Sequence, residues 1–128
     1  MDGASSEFKS KGGFKRIVSA FRYSVDGFRT AWQHEHAFRQ ELMVAVPATI
    51  VALVLPVSSF QKLALIVVLG LVLLVELINA AIEAVVDRVS LERHPLSKAA
   101  KDLGSAAVAL AIAMAAATWA VVLYNRYF

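Results

Sequence analysis

The 128-residue chain contains no cysteine. That excludes disulfides, thiolate nucleophiles and cysteine-ligated zinc or iron–sulfur centres. Glycine and proline are sparse, six and three residues, and neither GxxxxGK[ST] nor GxGxxG occurs. A nucleotide site here must therefore be built from side chains on helices, without a glycine-rich phosphate loop. Residues 1–13 hold Glu, Lys, Ser and Gly without an apolar run, so no signal peptide is expected in them. Charged residues make up 18% of the chain and hydrophobic ones 59%, too apolar for an ordinary soluble domain of this size. The net charge of +3 suits an anionic lipid surface, and no nucleic-acid partner is expected.

What is present divides into a polar tail, 1–13, and one membrane domain, 14–128. Phe14, Ile17, Val18, Phe21, Val25, Phe28 and Trp32 recur at helical spacing, opposite Lys15, Arg16, Arg22 and Arg29. This predicts an amphipathic helix over 14–33 lying in the membrane interface. A polar connector, HEHAFRQE, follows at 34–41. Three spans are expected at 42–57, 63–86 and 103–124, the first kinked at Pro47 and the last rich in small residues that let helices approach. The loop between the second and third spans is expected over 87–102, with Ser97 as the N-cap of the last helix. Of the 13 Lys and Arg, eleven precede the first span or lie in that second loop. The amino terminus is therefore expected to be cytoplasmic and the carboxyl terminus periplasmic.

The stretch VELINAAIEAVVD, 75–87, organises the rest. Glu76, Asn79, Glu83 and Asp87 are spaced 3, 4 and 4 apart, so a helix places all four on one face. A carboxylate inside a bilayer span costs at least ~2.5 kcal/mol. The stripe thus reads as a site for cations or protons near the cytoplasmic surface. The plainer reading is a stripe that holds helices together or lies among headgroups.

Glu35, Glu76, Glu83 and Asp87 or Asp102 fall at similar depth, with Arg16, Arg29, Arg39 and Lys101 nearby. Carboxylates beside cations at a membrane surface suit a magnesium–phosphate ligand. A desolvated carboxylate can take a proton from an alcohol. His34 and His36 flank Glu35, but two residues apart they leave a helix in different directions, which disfavours a shared metal. Arg39 and Glu41 also read as interfacial anchors, Asp87 and Arg88 as helix-end solvation, and Trp32 and Trp119 as an aromatic belt. Two other classes of function stay open: a small proton- or ion-conducting subunit, and a non-catalytic membrane partner whose stripe fixes register.

Five motifs in order, GFKRI at 13–17, YS at 23–24, EHAFRQE at 35–41, VELINAAIEAVVDR at 75–88 and AKDLGSAAV at 100–108, make the chain resemble the small bacterial integral-membrane diacylglycerol kinases. That family also includes undecaprenol kinases. The resemblance implies an all-α inner-membrane homotrimer, each subunit with a surface helix and three spans, and active sites shared between subunits. It implies transfer of the γ-phosphoryl of ATP to a lipid hydroxyl with Mg²⁺. Carried over by motif, Glu76 is the general base, and Glu35 and Glu83 hold the magnesium. ATP would meet Arg16, Tyr23, Glu35, Glu83, Glu92, Arg93, His94, Lys101 and Asp102, although Arg93 departs from the family pattern. The lipid would meet Arg16, Arg29, Trp32, Phe38, Arg39, Gln40, Glu41, Glu76, Ser105 and Trp119. Asn79 and Asp87 would support the stripe. His34 stands where the family often has Asn, and His36 where it often has a small residue. The FRQE form at 38–41 resembles the diacylglycerol branch, with undecaprenol as the alternative acceptor.

Overall fold

The computed structural model describes residues 12–128. It contains four helices: α1, Gly12–His34; α2, His36–Val54; α3, Ser59–Val89; and α4, Pro95–Tyr127. No strand occurs among the described residues. The last three helices are long and apolar enough to cross a membrane. The chain divides at His34 into two compact units, one holding α1 and the other holding α2, α3 and α4.

Within α1, Phe14, Ile17, Phe21 and Phe28 are exposed, and Asp26 pairs loosely with Arg29 at 3.6 Å. Gly12 and Gly13 are helical. The polar tail expected over 1–13 therefore stops short of them, and its first eleven residues lie outside the described ones.

The connector expected over 34–41 is almost entirely helix. His34 ends α1 and His36 begins α2, leaving Glu35 alone extended at φ −114°, ψ 103°. Nothing in HAFRQELMVAV resists a helix. The expected span 42–57 thus becomes the 19 residues of His36–Val54, ~28 Å of helix, close to the hydrocarbon thickness. The helix runs through Pro47. Thr49 adds a bond beside the missing amide by donating its hydroxyl to the Ala45 carbonyl at 2.7 Å. Leu55, preceding Pro56, is extended and ends the helix.

A capping box starts α3: the Gln61 amide donates to Ser58 Oγ at 3.1 Å, and the Ser58 amide donates to Gln61 Oε1 at 3.0 Å. The helix therefore begins at Ser59 and runs to Val89, longer at both ends than the expected 63–86. The loop expected over 87–102 shrinks to 90–94. The N-cap of α4 is His94, not Ser97, its ring Nδ1 accepting the Leu96 amide at 3.1 Å. Pro95 takes the first helical position, where its lack of an N–H costs nothing. Residues 95–102 are consequently the opening turns of α4, ahead of the expected 103–124.

In the second unit α3 packs on both α2 and α4. The residues turned inward are Phe38, Ala45 and Ala52 on α2, Leu65, Val72, Glu76 and Asn79 on α3, and Gly104, Ala111, Ala115 and Val122 on α4. Ala52, Leu65 and Val122 form one apolar cluster with Trp119 against it, and Val72, Ala111 and Ala115 form another. The small residues of α4 allow the close approach that holds helices together in lipid. Beside the 55–58 bend, Lys62 Nζ donates to the Leu53 carbonyl at 2.7 Å, Arg126 Nε to the Pro56 carbonyl at 2.9 Å and Trp119 Nε1 to the Leu65 carbonyl at 3.2 Å. Val44, Leu63, Leu74 and Leu110 remain exposed, a surface that suits surrounding lipid.

Candidate active site

The polar stripe of α3 grades from inside to outside. Glu76 is 5% and Asn79 8% exposed, Glu83 is half-buried and Asp87 exposed. Glu76 lies within electrostatic reach of Glu83 and Glu35, and Glu41 within reach of Glu76. Glu76 is thus the carboxylate that feels, or is felt by, each of the other three. Glu35 occupies the N-cap of α2 yet makes no capping hydrogen bond, which leaves its carboxylate free for another ligand. Two acceptor atoms in this region are buried without a hydrogen-bond partner: Glu41 Oε2 and Asn79 Oδ1.

Toward the 90–94 loop, cations enter. Lys101 Nζ lies 2.8 Å from Asp87 Oδ1, joining α4 to α3, and it also feels the charge of Glu83. Lys98 Nζ pairs with Asp102 Oδ2 at 2.5 Å, one turn apart on α4. A cavity of about 750 Å³ is lined by Asp87, Glu92, Arg93, His94, Lys101 and Asp102, among others. It gathers all five nucleotide residues expected from 92 onwards. A second cavity of about 430 Å³ lies between the helices and is almost wholly apolar. Gln40 and Glu41 line it together with Leu73, Ile112, Ala115 and Trp119.

Not every expected residue joins these cavities. Phe38 is buried in the packing, and Ser105 is exposed on α4; neither lines either cavity. Arg39 Nη2 bonds to His36 Nδ1 at 2.6 Å. Arg16, Tyr23, Arg29 and Trp32 all lie on α1, in the other unit. Two features escaped the sequence reading. Lys98 lines the larger cavity, and its place four residues before Asp102 was the available signal. Gly104 meets Asn79 so closely that a Cβ on it would overlap Asn79 Oδ1; only the run of small residues hinted at such an approach.

Among the described residues no three His, Asp or Glu side chains form a metal-binding group. Glu35 and Glu83 carry hard oxygen donors, both within electrostatic reach of Glu76, and carboxylate oxygens are the donor type that a hard divalent cation takes.

The sequence model of the prokaryotic diacylglycerol kinase family matches residues 22–123. The diacylglycerol kinase of Pseudomonas aeruginosa is 52% identical over 118 residues, covering 92% of this chain and 96% of its own. That of Escherichia coli K12 is 47% identical over 115 residues, 90% and 94% of the two chains. That of Haemophilus influenzae is 36% identical over 118 residues, 88% and 95% of the two.

Proposed function

Since this chain belongs to the prokaryotic diacylglycerol kinase family, we propose that it phosphorylates diacylglycerol to phosphatidic acid with ATP at the cytoplasmic surface of the bacterial inner membrane. The observation that carries the reading is Glu76: a carboxylate buried in the bundle, flanked by the charges of Glu35 and Glu83 and one turn before Asn79. The family is one of membrane kinases, which use ATP and a divalent cation, and three apolar helices provide the membrane anchorage.

The chemistry needs positioning and charge neutralisation more than covalent steps. The lipid enters with its acyl chains along the apolar cavity and its hydroxyl near Glu41 and Glu76. Glu76 takes the hydroxyl proton as the lipid oxygen bonds to the γ-phosphorus; the bond from that phosphorus to the bridging oxygen breaks, and ADP leaves. Glu35 and Glu83 would hold Mg²⁺, whose charge offsets that of the phosphates. Lys101, Asp102, Glu92, Arg93 and His94 hold the nucleotide in the larger cavity. Gln40 and Trp119 line the apolar cavity and complete the lipid side, while Asn79 and Asp87 steady the stripe.

Two further parts of the reading concern assembly. The distribution of 11 cations against 2 supports a cytoplasmic amino terminus and a periplasmic carboxyl terminus. A homotrimer with shared sites is supported by the unpartnered Glu41 Oε2, which one chain leaves without a donor.

Phosphoryl transfer from labelled ATP with Mg²⁺, in mixed micelles offering diacylglycerol and undecaprenol in parallel, tests the proposal. Label in phosphatidic acid supports it. Label mainly in undecaprenyl phosphate keeps the mechanism and changes the acceptor. Label in neither, from folded protein, removes the kinase reading.

A further inference from the structure

Asn79 and Gly104 are the buried polar residue of α3 and the buried glycine of α4. A Cβ placed on Gly104 would overlap Asn79 Oδ1 and crowd Asn79 Cγ at 3.1 Å. The amide oxygen has no hydrogen-bond partner, so no donor anchors it. It occupies the space that a side chain on Gly104 would fill. Asn79 sits three residues after Glu76 and four before Glu83, between the proposed base and a proposed metal ligand. Gly104 sits three residues after Lys101 and two after Asp102, one turn from the nucleotide side. The contact therefore lies where the acceptor-side groups of α3 are set against the nucleotide-side groups of α4. The Asp87–Lys101 ion pair joins the same two helices nearby, but both partners are roughly half exposed. Exposed pairs fix geometry weakly.

We propose that Gly104 is a positioning residue for phosphoryl transfer: acting through Asn79, it sets the registry of α3 on α4, and with it the placement of Glu76 and Glu83 against the bound nucleotide. Gly104 touches neither substrate. A methyl group there forces Asn79 to rotate or the helices to part, and a misplacement of ~1 Å at reacting groups is enough to cost ~100-fold in rate. The inference rests on the kinase reading with Glu76 as base.

The test is a double-mutant cycle between Gly104→Ala and Asn79→Ala in the full-length membrane protein. It is read as kcat and the KM for ATP, and as the thermal midpoint. In the parent, Gly104→Ala should lower kcat by about 10- to 100-fold and leave the KM for ATP within about 2-fold. In the Asn79→Ala background the same substitution should change kcat by less than about 2-fold, because the overlapping atom is gone. Equal losses in both backgrounds, or an unchanged kcat for Gly104→Ala alone, would overturn the proposal. Should Gly104→Ala fail to fold, recovery of folding in the double variant supports the contact, and failure of both variants overturns it. The base assignment has its own control: if Glu76→Gln keeps full turnover, that assignment fails whatever the cycle gives.

Discussion

The two ends of the α2–α4 unit treat their charged side chains in opposite ways. Around the 55–58 bend, the polar groups bond to backbone. Lys62, Arg126 and Trp119 each donate to a main-chain carbonyl, and Ser58 and Gln61 cap a helix. Around the 90–94 loop, the charged side chains pair with one another, Asp87 with Lys101 and Asp102 with Lys98, while Ser90 and His94 accept backbone amides. Deeper in the bundle, Glu41 and Asn79 bury unpartnered oxygens. Side chains that close helix ends hold structure. Side chains held in reserve, at a cost in desolvation, are available to a ligand. The contrast is what the proposed site predicts of a scaffold end and a substrate-facing end.

Substitutions at the two ends should therefore separate into kinetic and thermodynamic effects. The largest is at Glu76. Glu76→Gln should lower kcat by ~10²- to 10⁴-fold while ATP affinity, measured by nucleotide titration, stays near the parent value; loss of ATP binding alone would show that the base is elsewhere. Next, Lys101→Ala should raise the KM for ATP by about 10-fold, and Asp87→Asn should raise it less. If the two match, the ion pair matters more than contact with the nucleotide. At the other end, Ser58→Ala should cost ~1 kcal/mol of stability in thermal unfolding and leave kcat alone. Smallest is Arg126→Ala, at roughly 0.5 kcal/mol for an exposed hydrogen bond. A drop in kcat from either of the last two would erase the distinction between the ends.

Much of this division was readable in the sequence, at the level that periodicity reaches. The 3, 4, 4 spacing of the stripe placed Glu76 and Asn79 on one face, and that face is buried. Three apolar helices were expected from hydropathy, and three are present. Helix ends were read less well, because polar composition hid helical propensity. HAFRQE looked like a connector and is the first turn and a half of α2, while residues 95–102 looked like a loop and open α4. The cap of α4 was assigned to Ser97 by residue type, whereas Pro95 had already selected the residue before it. The capping box at Ser58 and Gln61 did have a sequence signal, a Ser followed three residues later by Gln. The Arg126 and Lys62 contacts had none, since their partners are backbone atoms brought near by the chain's turn at 55–58. Nor did Gly104: its meeting with Asn79 is a property of two helices crossing.

The inward-facing residues have one more consequence. On α2 they are Phe38, Ala45 and Ala52, on α3 Leu65, Val72 and Asn79, and on α4 Gly104 with Ala111, then Ala115 with Val122. Each series advances in steps of one heptad. A heptad step is slightly shorter than two full turns, so helices that keep it wrap about one another with a left-handed supercoil. Glu76, three residues before Asn79, completes the a/d alternation on α3. The proposed base thus occupies a knob position, where a coiled coil of the same geometry would carry leucine. On the proposed reading, helix association and phosphoryl transfer compete for that seam, and an acid kept in it gives up adhesion between the helices in exchange for chemistry.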